Sequence, residues 1–454
     1  MAMENEISYS INLSQDLLYI ILDSYISKKF QVSEEYCDFT DKNNIRTRLI
    51  NSNKFSSVQK TCISLDKMVY AHRDTLVPFV NRQSVEQPVQ CPHHFLRRIV
   101  KCKVFKSDEC PECEVKFEHI YKNQSLIDKC DAQTAAKQIQ LYNTLKNTNE
   151  NLVKESHLGS DEIMAFIRLE YEYDDRIDHK VLSFMAKVIR DIDSITAHQN
   201  ISPLLPYTTL QNNIIYRKFE DEHLIYNMDN VENIYKWALK LDGVRGKGFF
   251  TRSFMIVFMD DMQIFSSRFD HKLFAINNVV AFQCELVNDV MYVTDLLHVF
   301  KYSYNNRTQY EVSLDPYNIA PACAVDCINY FASKYNDNQQ LTLTDYDGHA
   351  IQIKFQRFFD APIVSGGYAT MPTDGFVVLN DTMQYVKYKQ SKTVEVEYDA
   401  DECVFKSLNG PLNNRQIQVA PTIGQLTHQT IYEAIVTNNS IVILKHRPDR
   451  LVPN

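Results

Sequence analysis

Glycine is scarce in this chain, with 10 in 454 residues. No Gly-Lys-Ser/Thr or Gly-x-Gly-x-x-Gly run occurs, which excludes the P-loop and the dinucleotide-binding loop. Positive charge is also short. Lys and Arg number 48 against 57 Asp and Glu, for a net charge of −9. That balance excludes a protein that coats nucleic acid non-specifically, so contact with RNA or nucleotides must use local basic clusters. Long apolar runs are missing: Leu17 to Leu22 is among the longest, far short of the ~20 residues that span a bilayer. A membrane role is not expected. Glu4 and Glu6 stand where a secretory leader would carry positive charge. The 11 cysteines are odd in number and scattered, which points to reduced thiols in an intracellular compartment.

What is present is a folded composition, 44% hydrophobic and 23% charged, in a chain long enough for two or three domains. Residues Glu4 to Asn12 alternate as a strand does, and Asp16 to Phe30 carries apolar residues at helical spacing. Strands are predicted at Ile45–Ile50, Thr61–Leu65, Val77–Val85, Arg97–Phe105, Glu112–Ile120 and Met164–Tyr173, and a helix at Thr134–Glu155. This predicts a β-rich first domain, a barrel, over residues 1–196. Ala197 to Thr209, with Pro203 and Pro206, reads as a linker. A mixed α and β domain follows over 210–390, with strands at Phe254–Phe258, Val279–Leu286, Met291–Thr294, Phe376–Leu379 and Gln384–Lys389. Residues 391–454 have the size of a small appended barrel, with a helix expected near Leu426–Ile435. The expected class is multidomain α+β.

The clustered glycines Gly243, Gly246 and Gly248 surround the run Lys240-Leu241-Asp242-Gly243-Val244-Arg245. A lysine that attacks phosphorus must be neutral, and burial or nearby cations make it so. Arg245 and a bound metal are expected to supply that surrounding. The run resembles the first motif of the covalent nucleotidyltransferases, the superfamily of mRNA guanylyltransferases and nucleic-acid ligases. The later motifs follow in order. Phe282-Gln283-Cys284-Glu285 resembles the third, though Gln283-Cys284 replaces the usual Asp-Gly; Tyr292-Val293-Thr294-Asp295 resembles the next. Thr373-Asp374-Gly375 has the guanylyltransferase form of the fourth motif, and Lys387-Tyr388-Lys389 resembles the fifth. Arg447-Pro448-Asp449-Arg450 resembles the sixth, with Arg450 where lysine is usual.

The resemblance implies that GTP binds between a nucleotidyltransferase core and a C-terminal OB-fold, and that Lys240 takes GMP. It implies that Arg447 and Arg450 neutralise pyrophosphate, that Asp449 orients it, and that Lys387 and Lys389 contact the α-phosphate. Asp242, Arg245, Glu285, Asp295 and Asp374 complete the substrate set, with a divalent cation near Glu285 and Asp295 or Asp374.

Glu4-Asn5-Glu6 and Glu170-Tyr171-Glu172 place two glutamates on one side of each strand. Inside a barrel, four carboxylates suit a hard divalent cation. With Arg46, Arg48, Arg82, Arg98, Lys101 and Lys103 in neighbouring segments, this resembles the tunnel-type metal-dependent RNA 5′-triphosphatases, built on an eight-stranded β-tunnel. By that resemblance Glu4, Glu6, Glu170 and Glu172 hold Mg2+ or Mn2+, the basic residues hold the triphosphate, and Glu86 places water or metal.

The domain order, the opening Glu4-Asn5-Glu6 strand and the terminal Arg-x-Asp-Arg-x-x-Pro-Asn together resemble the baculovirus late expression factors that cap mRNA within the viral RNA polymerase. Membership implies the RNA 5′ end and GTP as substrates, other polymerase subunits as partners, and the infected host nucleus as location. An ATP-dependent polynucleotide ligase shares the lysine chemistry, and a non-catalytic polymerase subunit could keep the motifs as relics. Cys110-Pro111-Glu112-Cys113, with Cys91, Cys102, His93 and His94 nearby, lacks two matched Cys-x-x-Cys pairs, so free thiols are expected rather than zinc.

Overall fold

The structure, a computed structural model, describes the chain except residues 1, 52–53, 91–95, 124–129, 132–157, 161–163, 197–206, 225–230, 270–271, 307–308, 338–340, 346, 365–371, 390 and 449. The expected helix at Thr134–Glu155, most of the expected linker, Cys91, His93, His94 and Asp449 lie outside the described residues. The last residues of the expected linker are helical, because α3 spans Tyr207–Asn213; α1 (Gln15–Ile21) and α2 (His179–Ile195) precede it.

Eight strands of the first half close into a barrel. They are β1 (Ala2–Ile11), β2 (Gln31–Asp41), β3 (Ile45–Asn51), β4 (Lys54–His72), β5 (Thr75–Pro88), β6 (Leu96–Ser107), β7 (Cys110–Asn123) and β8 (Met164–Tyr173). Their order around the barrel is β1-β8-β7-β6-β2-β3-β4-β5. The period of two sends Glu4, Glu6 and Ser8 to one side of β1, and Ile7, Tyr9 and Ile11 to the other. The apolar side faces outward, where helices cover it. Ile7, Tyr9, Phe79, Val115, Phe117, Ile167 and Leu169 form one buried cluster with Leu18 and Ile21 of α1 and with Leu182, Met185 and Ile189 of α2. Each such side chain contributes ~1.5–3 kcal/mol when fully buried, so the coat stabilises a barrel whose interior is left to charge. The Asp178 side chain accepts from the Lys180 N–H at 2.8 Å and caps α2.

The middle of the chain builds two sheets. One has four strands in the order β9 (Asp221–Leu224), β16 (Tyr385–Lys389), β15 (Thr373–Asn380) and β10 (Ile234–Leu241). The other includes β11 (Val244–Phe250), β12 (Phe254–Met259), β13 (Asn278–Val287) and β14 (Val290–Asn306). Between them lies one core, which takes in Ala238, Phe250, Phe282, Val293, Leu379 and Tyr385, and Phe331 and Tyr335 of α4 (Pro321–Tyr335). A third, six-stranded sheet holds β17 (Val394–Asp399), β18 (Thr430–Val436) and β19 (Ser440–His446), with Val396, Phe405, Tyr432, Ala434 and Ile443 buried in it. The helix expected near Leu426–Ile435 is absent: β18 occupies its second half, hydrogen-bonded to β17 on one side and β19 on the other. Its residues Thr430, Ile431, Tyr432, Ile435 and Val436 are β-branched or aromatic and suit a strand.

Barrel and central body share core. Val69 and Leu76 of the barrel lie in the central cluster. Lys301 of β14 donates to the Ser10 carbonyl of β1 and lies 3.6 Å over the Tyr9 ring. Burial lowers the Lys301 pKa to about 7, although Asp193 opposes the shift. The unfolded chain therefore holds this proton more tightly between about 7 and the ordinary 10.5, and the group makes stability rise with pH across that window. Lys301→Met removes the term. Chemical denaturation over a pH series should show the variant gaining stability relative to wild type as pH falls from 10 to 7; a pH-independent difference would contradict the assignment.

Candidate functional site

Lys240 is the penultimate residue of β10, where the strand's pairing with β15 slips between Leu239 and Leu241. Its Nζ lies 3.3 Å from Asp374 Oδ2, and Lys389 reaches the same oxygen at 3.3 Å. Asp374 can sit there because Gly375 follows it. Gly375 has φ +96°, and a Cβ would fall 1.8 Å from the Tyr388 carbonyl oxygen, so glycine alone lets β15 and β16 approach this closely. Gly243 is held as tightly: a Cβ there would fall 2.1 Å from the Leu286 carbonyl oxygen. Its N–H donates to Glu285 Oε1 at 2.8 Å. Burial raises the Glu285 pKa, while the Gly243 N–H and Lys240 counteract.

These groups line one cavity of about 370 Å³. It gathers Lys240, Asp242, Arg245, Glu285, Asp295, Asp374, Lys387, Lys389, Arg447 and Arg450 from segments spread over more than two hundred residues. Every described residue of the nucleotide set named from sequence is therefore at one place; Asp449 is outside the described residues. Two roles differ from expectation. Asp295 is buried, accepts from Arg217 Nε at 2.5 Å, and holds that guanidinium while it also donates to the Leu296 and Ile319 carbonyls, each at 3.0 Å. Its Oδ2 is a structural anchor, while its Oδ1 is buried with no hydrogen-bond partner. Arg245 lines the cavity with Lys240, but its guanidinium is engaged elsewhere. It pairs with Asp260 at 2.9 Å and stacks on Tyr216 at 4.1 Å.

The third sheet supplies cations across the cavity mouth. Arg447 lies 3.3 Å from both Glu395 and Glu433, and Arg450 lies 3.2 Å from Glu395. Lys445 pairs with Asp242 and lies 3.5 Å from Glu433. Sequence reading missed Lys445, Glu395, Glu433 and Arg217. Lys445 was legible, since it lies in β19 two residues before Arg447.

The barrel interior is a second polar site. Glu6 opposes Glu172 across β1 and β8, and Arg82 across β1 and β5, so these three share a face. Arg82 lies 2.6 Å from Glu6, Lys60 lies 2.5 Å from Glu4, and Arg46 lies 3.1 Å from Glu86. Deeper in, Glu170 is held by Lys116 and, at 2.7 Å, by Arg168. Burial opposes its charge, yet these two cations hold its pKa at about 2. Glu118 joins Arg168 at 2.9 Å to Arg98 at 3.1 Å. Arg48 grips Asp38 through two bonds, 2.9 and 3.0 Å, and stacks on Tyr36.

Lys101 and Lys103 are corrections. Both pair with Glu35 and register against His119 and Phe117, on the outer side of the barrel. On β6 the inward positions are instead Arg98, Cys102 and Val104, the last two in an apolar cluster with Tyr36 and Ile50. Sequence reading also missed Lys60, Glu114, Lys116, Glu118 and Arg168. Glu114-x-Lys116-x-Glu118 and Arg168-x-Glu170-x-Glu172 were the available signals, because both alternate.

The interior suits a hard cation as well as an anion. Glu6 Oε1 is buried without a hydrogen-bond partner. Burial and a bond to Glu4 raise the Glu86 pKa, and burial with the nearby Glu4 charge raises that of Glu172. These carboxylates have oxygen donors to spare. Among the described residues the sets of three ligand atoms within 4.8 Å are elsewhere, at Asp345, Asp347 and His349 and at Asp399, Asp401 and His428; in the barrel, lysine and arginine stand between the glutamates. Cys102, Cys110 and Cys113 are in no disulfide bond. Among the described residues no helix is long and apolar enough to cross a membrane.

Comparison with known proteins agrees over the whole length. The family model described as Late expression factor 4 (LEF-4) matches residues 4–454. The "mRNA capping enzyme LEF-4" of Autographa californica nuclear polyhedrosis virus is 46% identical over 467 residues, covering 100% of this chain and 98% of that protein. The protein of the same name from Orgyia pseudotsugata multicapsid polyhedrosis virus is 39% identical over 469 residues, with 100% and 98% covered. Among solved structures, a mimivirus capping enzyme triphosphatase aligns with 42% of this chain and 88% of its own at 12% identity and a TM-score of 0.25. The S. pombe Pct1 RNA triphosphatase aligns with 37% and 70% at 11% identity and a TM-score of 0.22. By the match of its full length to the family model and to both viral proteins, the chain belongs to the late expression factor 4 family.

Proposed function

We propose that this chain is an mRNA capping enzyme with two active sites. The barrel, residues 1–196, removes the γ-phosphate from triphosphate RNA. The central body, 210–390, acts as a nucleotidyltransferase with 391–454 as its OB-fold, and moves GMP from GTP to the diphosphate end. The observation that carries the reading is the single cavity around Lys240, filled by residues from every motif that could be tested.

In the first half-reaction the Lys240 Nζ lone pair forms a bond to the α-phosphorus, and the bond to the pyrophosphate oxygen breaks. The ammonium proton must leave first, and Asp374 Oδ2 is the placed acceptor. Lys389 and Lys387 offset charge on the α-phosphate. Arg447 and Arg450, held by Glu395 and Glu433 in this structure, exchange those carboxylates for pyrophosphate, and Asp449 orients it. A divalent cation at Glu285 and Asp374 would neutralise further phosphate charge. In the second half-reaction a β-phosphate oxygen of the RNA forms the new bond, the P–N bond breaks, and the amine regains its proton.

In the barrel, Arg46, Arg48, Arg82 and Arg98 bind the triphosphate together with Lys60, Lys116 and Arg168. Mg2+ or Mn2+ on Glu4, Glu6, Glu170 and Glu172 would supply charge neutralisation, and Glu86 positions water. In this reading the chain works with the other subunits of a viral RNA polymerase in the infected host nucleus.

Two outcomes test this. Wild type incubated with α-labelled GTP and a divalent metal should keep label after denaturation, while Lys240→Ala should lose it by at least a hundredfold. Label from ATP instead would favour a ligase, and no label from either would favour a non-catalytic subunit. For the barrel, Glu6→Ala and Glu172→Ala should each cut γ-phosphate release from triphosphate RNA by at least tenfold and leave lysyl-GMP formation intact; a joint loss of both activities in a folded variant would defeat the two-site division.

A further inference from the structure

A second cavity, of about 810 Å³, opens beside the first. The two are contiguous through Arg217, Phe219, Glu222, Arg245, Gln283 and Lys387. Its outer wall is the segment Ile214 to Glu222, which Arg217 fastens to the body through Asp295. The fastening leaves large apolar side chains in water: Phe219 is 39% exposed and Ile215 is 66% exposed. Lys218 between them is exposed, with no ionic partner among the described residues. Two of the three acidic neighbours are engaged, Asp221 with His223 at 3.2 Å and Glu222 with Lys387, and Glu220 is exposed.

We propose that this groove binds the 5′ end of the acceptor RNA, with a base stacked on Phe219 and a backbone phosphate against Lys218. The inference rests on the capping reading and adds the second substrate's site to it. Chemistry requires such a site. Once GMP is attached to Lys240, the nucleotide cavity is full, and the acceptor's diphosphate can take only the place vacated by pyrophosphate. Its first nucleosides must then lie outside that cavity yet next to Lys387, which lines both spaces. An exposed aromatic ring beside a cation is how proteins hold single-stranded RNA without reading its sequence. Glu222 keeps Lys387 neutralised until a phosphate displaces it. A protein partner would have no need of a surface continuous with the nucleotide cavity.

The test separates the two half-reactions in the full-length protein. Lysyl-GMP enzyme is isolated and mixed with increasing 5′-diphosphate RNA, and GMP transfer is followed. Phe219→Ala should raise the half-saturating RNA concentration about tenfold, or ~1.4 kcal/mol, within the ~1–3 kcal/mol range of one stacked base. Phe219→Tyr should keep the wild-type value, Lys218→Gln should weaken its salt dependence and leave lysyl-GMP formation from GTP unchanged, and Phe219→Ala should lower lysyl-GMP formation far less than it raises the RNA requirement. An unchanged RNA dependence in Phe219→Ala would overturn the proposal. So would an equal loss in lysyl-GMP formation, which would assign the groove to GTP. Failure of wild type to form lysyl-GMP would remove the capping reading itself, a result distinct from either.

Discussion

Charge withdrawn from water must be paired, and this requirement shapes both sites. In the barrel the paired groups alternate along neighbouring strands. Glu170 faces Lys116 and Arg168, and Glu6 faces Arg82 and Lys60. In the nucleotide cavity one carboxylate, Asp374, serves Lys240 and Lys389 together, while Glu433 lies among Lys389, Lys445 and Arg447. Left unpaired at such depth, each ion would cost several kcal/mol. Paired, the array is a preformed mould for phosphate and metal. A triphosphate can take over the cations and a divalent ion the carboxylates, with little rearrangement of the backbone that holds them.

The apolar half of the fold follows from the same constraint. A barrel whose inside is charged must bury its outside, and α1 and α2 supply that cover. Where the barrel also leans on the central body, the seam holds Lys301, a buried lysine that donates to the backbone carbonyl of Ser10. The strand carrying Glu4 and Glu6 and the strand carrying Asp295 touch there through Lys301, Ser10 and Tyr9. The glycines fit this picture. In so glycine-poor a chain, Gly243 and Gly375 stand where strands approach too closely for any Cβ.

Much of this was legible in the sequence, because strands have a strict period. Glu4 and Glu6 could only share a face, as could Glu170 and Glu172, and Lys240 followed by Asp242-Gly243 marked the cavity that the later motifs also line. The errors have physical causes. Arg98 and Lys101 are three residues apart, so a regular strand cannot turn both inward, and β6 is apolar inside at Cys102 and Val104 because that end of the barrel is closed by Tyr36 and Ile50. Asp295 looks like a ligand until Arg217, 78 residues away, is seen on it. Such long-range pairing leaves no local signal. The segment near Leu426–Ile435 is a strand because two neighbours compete for its backbone, a tertiary effect that outweighs local spacing. Helix α2 was legible and passed over: Val181, Leu182, Met185, Val188, Ile189 and Ile192 are buried at helical spacing.

The central claim is that one lysine, set against Asp374 at the irregular end of β10, becomes covalently bound to GMP. Its most direct test is to trap the adduct from GTP and metal, digest the protein, and map the modified residue by mass spectrometry. The account predicts a GMP-bearing, acid-labile P–N linkage on the peptide that contains Lys240. An adduct on Lys387, Lys389 or Lys445 instead, each within the same cavity, would contradict it.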